Sequence, residues 1–516
     1  MDIRELLARQ VVFFDGGMGT MLQANGLEQG DLAESMLYEH FDVVVGVHAA
    51  YLEAGANIVT TNTFSANPLK LCGRGYSVKE TVTLAVRAAR EAIAKSGKQA
   101  FVAVDIGPTT KLLAPLGELS FDEAYASFCE VAKAGEAAGA DLAVIETMTD
   151  AYEMKAAVLA VKENTKLPLF ATFSFDENAR LLTGADVSAA VVLLEGLSVD
   201  ALGVNCGFGA DKMGAVVQEL VSYASVPVIV QANAGLPKRV DGNMVYDMPP
   251  EHFAEYAERF VKAGARVIGG CCGTTPEHIR ASVGHCSALR PAPLPETRRC
   301  VISGYGYALR LGDRPLFVAE SANPLQNKAW GEALLAGNYD MILDAAFDAQ
   351  DSGADIFDVN VALPGVGEAA AMREVIGALQ PAIQMPLQLS TRNAAALEQA
   401  LRCYNGKALV NGVTGAWESM HAVFPLIQRY GGVAVVLTMD ENGIPETAEG
   451  RAAIAKRILD SAAQYGISPC DLAVDTLAEG ENDIVAQKAM EVCIREFGLA
   501  AAPAMQNRRE LFFNGD

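Results

Sequence analysis

Long hydrophobic runs are missing from this chain. No uninterrupted apolar stretch approaches the roughly 20 residues that a membrane span needs, although 51% of the 516 residues are hydrophobic. A signal-peptide core is missing too: the opening MDIRELLARQVVFFDGG carries charges every few residues. Basic charge is scarce, with 40 Lys+Arg against 63 Asp+Glu and a formal net charge of −23. That balance argues against nucleic-acid or anionic-membrane partners. Aromatics are only 7%, which disfavours a β-sandwich. The six histidines show no HxH or HExxH spacing, so a histidine metal site has little support. The Gly-rich dinucleotide fingerprint is also absent, since DGGMGT (Asp15–Thr20) is not GxGxxG.

What is present is Ala, Gly, Val and Leu in a repeating order. Short β-like runs alternate with amphipathic helical stretches. In the first half the strand cores read Val11–Asp15, Asn57–Thr63, Phe101–Ile106, Leu142–Thr147, Leu169–Phe175, Ala201–Cys206, Pro227–Asn233 and Arg266–Cys272. Helical stretches such as Val78–Lys95, Phe121–Ala138 and Glu251–Ala263 follow them. Eight βα repeats predict a closed (β/α)8 barrel.

A boundary follows at LRPAPLPET, where Pro291, Pro293 and Pro295 alternate in a stiff linker. A second βα series then begins, with strand cores Leu316–Glu320, Ile356–Val361, Pro386–Ser390, Ala408–Val413, Val433–Met439 and Leu472–Asp475, and a seventh at Leu499–Met505. The expected fold class is α/β, two TIM-type (β/α)8 barrels in tandem with the second incomplete. The expected domains are 1–287, a linker at 288–314, and 315–516. Three possibilities remain for the second barrel: it is left incomplete, closed by another chain, or closed by the irregular residues 298–314.

Ten cysteines without a signal peptide point to a reducing, cytoplasmic setting. Three of them fall at strand ends, where such barrels carry their chemistry. Cys206 ends strand six in GVNCGFG, and Cys271 and Cys272 end strand eight in VIGGCCGTTPEH. Three thiolates with an open fourth position suit Zn2+. Buried packing is the competing reading from spacing alone, because free cysteine is usually a small buried hydrophobe.

The motifs DGGMGT, TNTFSAN (Thr61–Asn67), DIGPT (Asp105–Thr109), IETMTD (Ile145–Asp150), GVNC, ANAGLP (Ala232–Pro237) and GGCCGTTPEHI (Gly269–Ile279) resemble those of homocysteine S-methyltransferases over residues 10–285. The resemblance implies that Cys206, Cys271 and Cys272 bind catalytic zinc, which would hold homocysteine as its thiolate. It implies that Glu146 takes the ammonium group. Main-chain amides around Gly16 and Gly17 would take the carboxylate, with Asp15 ordering that turn, and Asn233 would lie beside the metal. Asp15 and Glu146 also fit as satisfied strand-end polar groups.

Residues 315–475 resemble the pterin-binding barrel of cobalamin-dependent methionine synthases through ESANP (Glu320–Pro324), GADIFDVNVALPG (Gly353–Gly365), MPLQLST (Met385–Thr391), YNGKALVNGV (Tyr404–Val413) and LTMDENGIPETAEGR (Leu437–Arg451). The resemblance implies methyltetrahydrofolate binding by Glu320, Asn323, Asp358, Asn360, Asn411 and Asp475. Departures accompany it: Ser390 stands where the family has Asp, Ser321 and Ala319 depart near strand one, and strand eight is missing. With no corrinoid motif in the chain, methylcobalamin is expected on a separate protein. The expected function is a zinc-dependent homocysteine S-methyltransferase making methionine, with a corrinoid protein as partner. A folate-independent homocysteine methyltransferase whose second barrel is a docking scaffold is the alternative. A non-catalytic binding protein is a third reading.

Overall fold

The computed structural model describes residues 2–28, 30–240, 243–295, 299–320, 324–325, 327–478 and 483–505. The chain divides into two compact units, Met1–Pro295 and Glu296–Asp516.

In the first unit eight parallel strands run in the ring order Val12–Phe13, Ile58–Thr60, Phe101–Ile106, Leu142–Met148, Leu169–Phe173, Ala201–Gly209, Val228–Asn233 and Val267–Gly270. Val12 pairs with Val267, and Phe14 bridges to Ile58, which closes the barrel. The connecting helices have well-marked ends. Phe121–Ala138, for example, opens on a capping box between Ser120 and Glu123 and stops at Gly139 with φ 90°.

Side chains alternate in and out along each strand. The inward set at the lower level is apolar: Val12, Phe14, Ile58, Ala103, Leu142, Val144, Phe170, Ala201, Ile229 and Val267 form one buried core. Two residues further along, the inward positions become Thr60, Asp105, Glu146, Thr172, Asn205, Gln231 and Gly269. The polar layer thus begins where the strands deliver the site. Below the apolar layer Ile3, Leu6 and Leu7 of the Ile3–Arg9 helix seal the barrel bottom. Arg4 of that helix pairs with Asp200 at 2.5 Å.

The first, second, fifth and eighth strands end sooner than their apolar runs suggest, while the fourth and sixth run on to Met148 and Gly209. Asp15 and the pair Cys271–Cys272 lie just beyond the strands, in turns. Two strands are bulged near their upper ends. The fourth shifts register between Ile145 and Met148, and the sixth between Asn205 and Gly209. Thr147 and Cys206 take positive φ of 59° and 57° at these bulges.

The second unit has six βα units, with strands Phe317–Glu320, Ile356–Val359, Leu387–Ser390, Leu409–Val413, Val433–Leu437 and Leu472–Asp475. A seventh segment pairs at Ala500–Ala501 with the sixth strand and at Ala504–Met505 with the first. Among the described residues the ring therefore has seven parallel segments, one short of a (β/α)8 barrel. Residues 298–314 do not supply the closing strand. Their described part forms the antiparallel hairpin Val301–Ser303/Ala308–Arg310. Cys300, Ile302, Leu311 and Leu316 pack with Val318, Ile356, Leu409, Val433, Val435 and Ala473. This stretch fills the barrel interior and adds no parallel strand. No described helix is long and apolar enough to cross a membrane.

Candidate metal and substrate site

Cys206 sits on the bulge of the sixth strand, and Cys271 and Cys272 follow the eighth. The fold brings their three Sγ atoms within 4.8 Å of one another. The Cys271 and Cys272 sulfurs are 4.0 Å apart. A tetrahedral ion with metal–sulfur bonds of about 2.3 Å requires sulfur–sulfur separations of about 3.8 Å, so the donor set and its spacing fit a soft four-coordinate ion. All ten cysteines are free. Without a metal the three sulfurs share charge unequally. Hydrogen bonds from Cys271 and Cys272 lower Cys206 to about 3. The same contacts push Cys271 up, and Cys206 raises Cys272 to about 12.

Asn233, at the end of the seventh strand, touches two of the cysteine segments. Its Oδ1 accepts the Cys272 N–H at 3.0 Å, and its Nδ2 lies 3.8 Å from the Cys206 sulfur. Close backbone approach is also required here. A Cβ on Gly273, which has φ 77°, would stand 2.1 Å from Cγ of Tyr246. A Cβ on Gly17 would stand 2.6 Å from the Cys271 carbonyl oxygen.

Asp15 is buried. Its carboxylate accepts the Thr60 N–H at 2.8 Å and the Thr60 hydroxyl at 2.6 Å. Its main-chain oxygen accepts the Gly270 N–H at 3.0 Å. Asp15 therefore joins the first strand to the second and eighth, and its carboxylate is committed to Thr60. Burial raises it to about 7. The Gly17 N–H donates to Thr274 Oγ1 at 3.0 Å, and that hydroxyl donates to the Cys271 oxygen at 2.7 Å. A substrate carboxylate at Gly17 would displace Thr274 from this amide.

Glu146 is half-buried on the fourth-strand bulge. Burial, with the charges of Cys206 and Asp15 added, raises it to about 8. A carboxyl so raised is ready to accept a cationic partner, which would restore its charge.

Several residues of the site escaped the sequence reading. Asn205 is fully buried; its Oδ1 accepts from Thr147 N at 2.8 Å and Thr172 Oγ1 at 2.8 Å, and its Nδ2 donates to Thr147 Oγ1 at 2.7 Å. Its signal was available, since strand phase places it inward beside Cys206. Tyr246 carries no such signal. It reaches the site from the loop after the seventh strand and packs over Gly273; burial, with Cys272 next to it, raises its hydroxyl.

In the second unit a cavity of about 1140 Å³ opens at the upper strand ends. It brings together Asn360 and Asn411 with Ser390. Asp358 lies behind that wall; its Oδ1 accepts from Gln388 Nε2 at 2.8 Å and from the Ser390 hydroxyl. Asn411 Nδ2 in turn donates to Ser390 Oγ at 3.1 Å. Asn360 Oδ1 caps its own turn by accepting the Ala362 N–H at 3.0 Å. Asp475, outside the cavity lining, accepts the Leu477 N–H at 2.8 Å. Glu320 ends the first strand of this unit. Asn323 and Ser321 lie outside the described residues.

Three cysteine sulfurs thus meet on the upper face of an eight-stranded parallel barrel, beside the Glu146 carboxyl. The homocysteine S-methyltransferase family profile matches residues 12–284, more than half of the chain, and the chain belongs to that family. The profile described as pterin binding enzyme matches residues 325–488. The methionine synthase of Mycobacterium leprae (strain TN) is 29% identical over 518 residues, covering 93% of this chain and 43% of that protein. The methionine synthase of Mycobacterium tuberculosis (strain ATCC 25618 / H37Rv) is 30% identical over 501 residues, covering 92% and 42%. The chain thus spans about two-fifths of the length of these curated relatives. The metallated homocysteine methyltransferase MmuM from Escherichia coli is 28% identical, with a TM-score of 0.47, covering 55% of this chain and 99% of that one.

Proposed function

We propose that the first barrel is a zinc-dependent homocysteine S-methyltransferase that makes methionine. The observation that carries this reading is the convergence of Cys206, Cys271 and Cys272 within 4.8 Å, on the face that also presents Glu146. Zinc held by the three cysteines supplies Lewis-acid activation of a substrate thiol, lowering its pKa so that it is available as a nucleophile at neutral pH. Asn233 holds the Cys272 backbone and contacts the Cys206 sulfur, which orients the donor set. Glu146 binds the substrate ammonium, and the Gly16–Gly17 turn receives the carboxylate.

The methyl donor reaches an open face. Leu112, Leu116, Leu182 and Leu236 are exposed on loops that follow strands three, five and seven, and exposed Val245 ends the short strand Asn243–Val245 beyond the seventh. Exposed apolar side chains beyond these strand ends favour a donor carried by a macromolecule, and a methylcobalamin-bearing protein recharged by methyltetrahydrofolate fits that description. Asn360, Asn411 and Ser390 would face the pterin in the second-barrel cavity. The folate-independent alternative is favoured by one observation: the Asp358 carboxylate accepts from Ser390 and Gln388 behind the cavity wall.

The test is a methyl-transfer assay on homocysteine with methylcobalamin, methyltetrahydrofolate plus a corrinoid protein, and S-methylmethionine offered in parallel. Methionine formed only by zinc-loaded protein supports the proposal. No transfer from any donor by protein containing zinc and binding homocysteine would contradict it.

A further inference from the structure

The third strand places one more acid on the floor of this site. Asp105 follows Ala103 at the next inward position, so its side chain enters the barrel above the apolar layer. It is 6% exposed, and its Oδ1 has no hydrogen-bond partner. Its backbone, by contrast, is fully held. The N–H donates to Thr61 Oγ1 at 3.1 Å, and the carbonyl accepts from Thr63 Oγ1 at 2.7 Å. The strand is thus anchored while one carboxylate oxygen is left over.

A buried acceptor without a donor is destabilising, and a ligand that supplies the donor removes that cost. The charges around Asp105 select the kind of donor. Glu146, Glu34 and Asp15 face it, all acidic, and each raises its carboxyl further beyond what burial does. The nearby cation, Lys70, lies over the Phe64 ring at 5.0 Å and leaves Oδ1 without a partner. Another acid or a neutral acceptor would worsen this balance, whereas an ammonium group brings a positive charge and three N–H donors.

We infer that Asp105 is a second carboxylate for the substrate α-ammonium, acting beside Glu146; this deepens the homocysteine reading and rests on it. Two carboxylates from neighbouring strands then grip one ammonium, and the site selects amino-acid thiols over plain mercapto acids. The selectivity resides in the floor of the barrel, apart from the three cysteines.

The experiment compares homocysteine with 4-mercaptobutyrate, which has the same chain and carboxylate but lacks the amino group. Affinities are measured by calorimetry on the zinc-loaded full chain and on Asp105→Asn, with zinc content checked in both. The expected result is a loss of homocysteine affinity of about 10–100-fold, the worth of a charge-assisted hydrogen bond, with 4-mercaptobutyrate unchanged. Asp105→Ser serves if the Asn variant fails to fold. Equal loss for both thiols, or no loss for either, would overturn the inference while leaving the homocysteine reading intact. Wild-type protein that holds zinc but binds no homocysteine would overturn both.

Discussion

Asn205 grips Thr147 at both ends. The Asn205 Oδ1 accepts the Thr147 N–H at 2.8 Å, and its Nδ2 donates to the Thr147 hydroxyl at 2.7 Å. Thr147 is held at φ 59° by this pair, next to Glu146, and Asn205 itself precedes Cys206. One buried amide therefore fixes the backbone next to both Glu146 and Cys206. Asn205→Ala removes three hydrogen bonds and strands buried partners. A stability loss of about 2–4 kcal/mol is expected in denaturant titration. KM for homocysteine should rise, because the variant frees the Thr147 turn that carries Glu146.

Metal binding should divide the cysteines cleanly. Cys206→Ala, Cys271→Ala and Cys272→Ala are each expected to drop zinc from about one per chain to a small fraction, since structural and catalytic zinc sites rely on their full thiolate set. Cys129→Ala and Cys403→Ala, at buried positions away from the trio, should keep their zinc. Elemental analysis after dialysis reads the difference. Full zinc retention in two of the three ligand variants would contradict the assignment.

Acid sensitivity should trace in part to His48. This residue is fully buried in the Phe41–Ala54 helix, and both ring nitrogens have no partner. Burial lowers it to about 4 from an ordinary 6.5. Between those values the unfolded chain binds more protons than the folded one, so stability falls as pH drops from 6.5 towards 4. The contribution is up to roughly 3 kcal/mol. His48→Leu removes this titration, and its unfolding free energy should change less than the wild type's between pH 7 and pH 5. An identical slope for the two proteins would rule the group out.

The second cavity makes its own prediction. Asn411 lines it and donates to Ser390, which in turn donates to Asp358. If this relay reads a pterin edge, Asn411→Ala should weaken methyltetrahydrofolate binding about tenfold, the worth of roughly one hydrogen bond. Calorimetry on the full chain measures it. Wild-type protein with no heat of binding, under conditions where homocysteine binds, would instead favour the scaffold reading.

The barrel order was legible because parallel strands buried on both faces leave continuous apolar runs. The cysteine ends were legible because their phase and flanking glycines place them at the top of the sixth and eighth strands, with one strand between them. Less visible was how polar groups at those ends divide their attention. Asp15 reads as a site residue, and its carboxylate is nonetheless spent on Thr60. Asn205 has no role assigned within GVNC and proves to be a clamp. Such roles depend on which neighbour lies across a strand pair, and pairing distances are absent from one chain's linear order. The seventh segment of the second unit illustrates the same limit. Ala500–Met505 is short and weakly apolar, yet its two ends pair with different strands.

If the three cysteines hold a metal that receives the substrate sulfur, X-ray absorption at the zinc edge reads it, on the full chain with and without homocysteine. Three sulfur neighbours at about 2.3 Å are expected in the free protein and four once homocysteine is added. A sulfur count that stays at three under saturating homocysteine would contradict it.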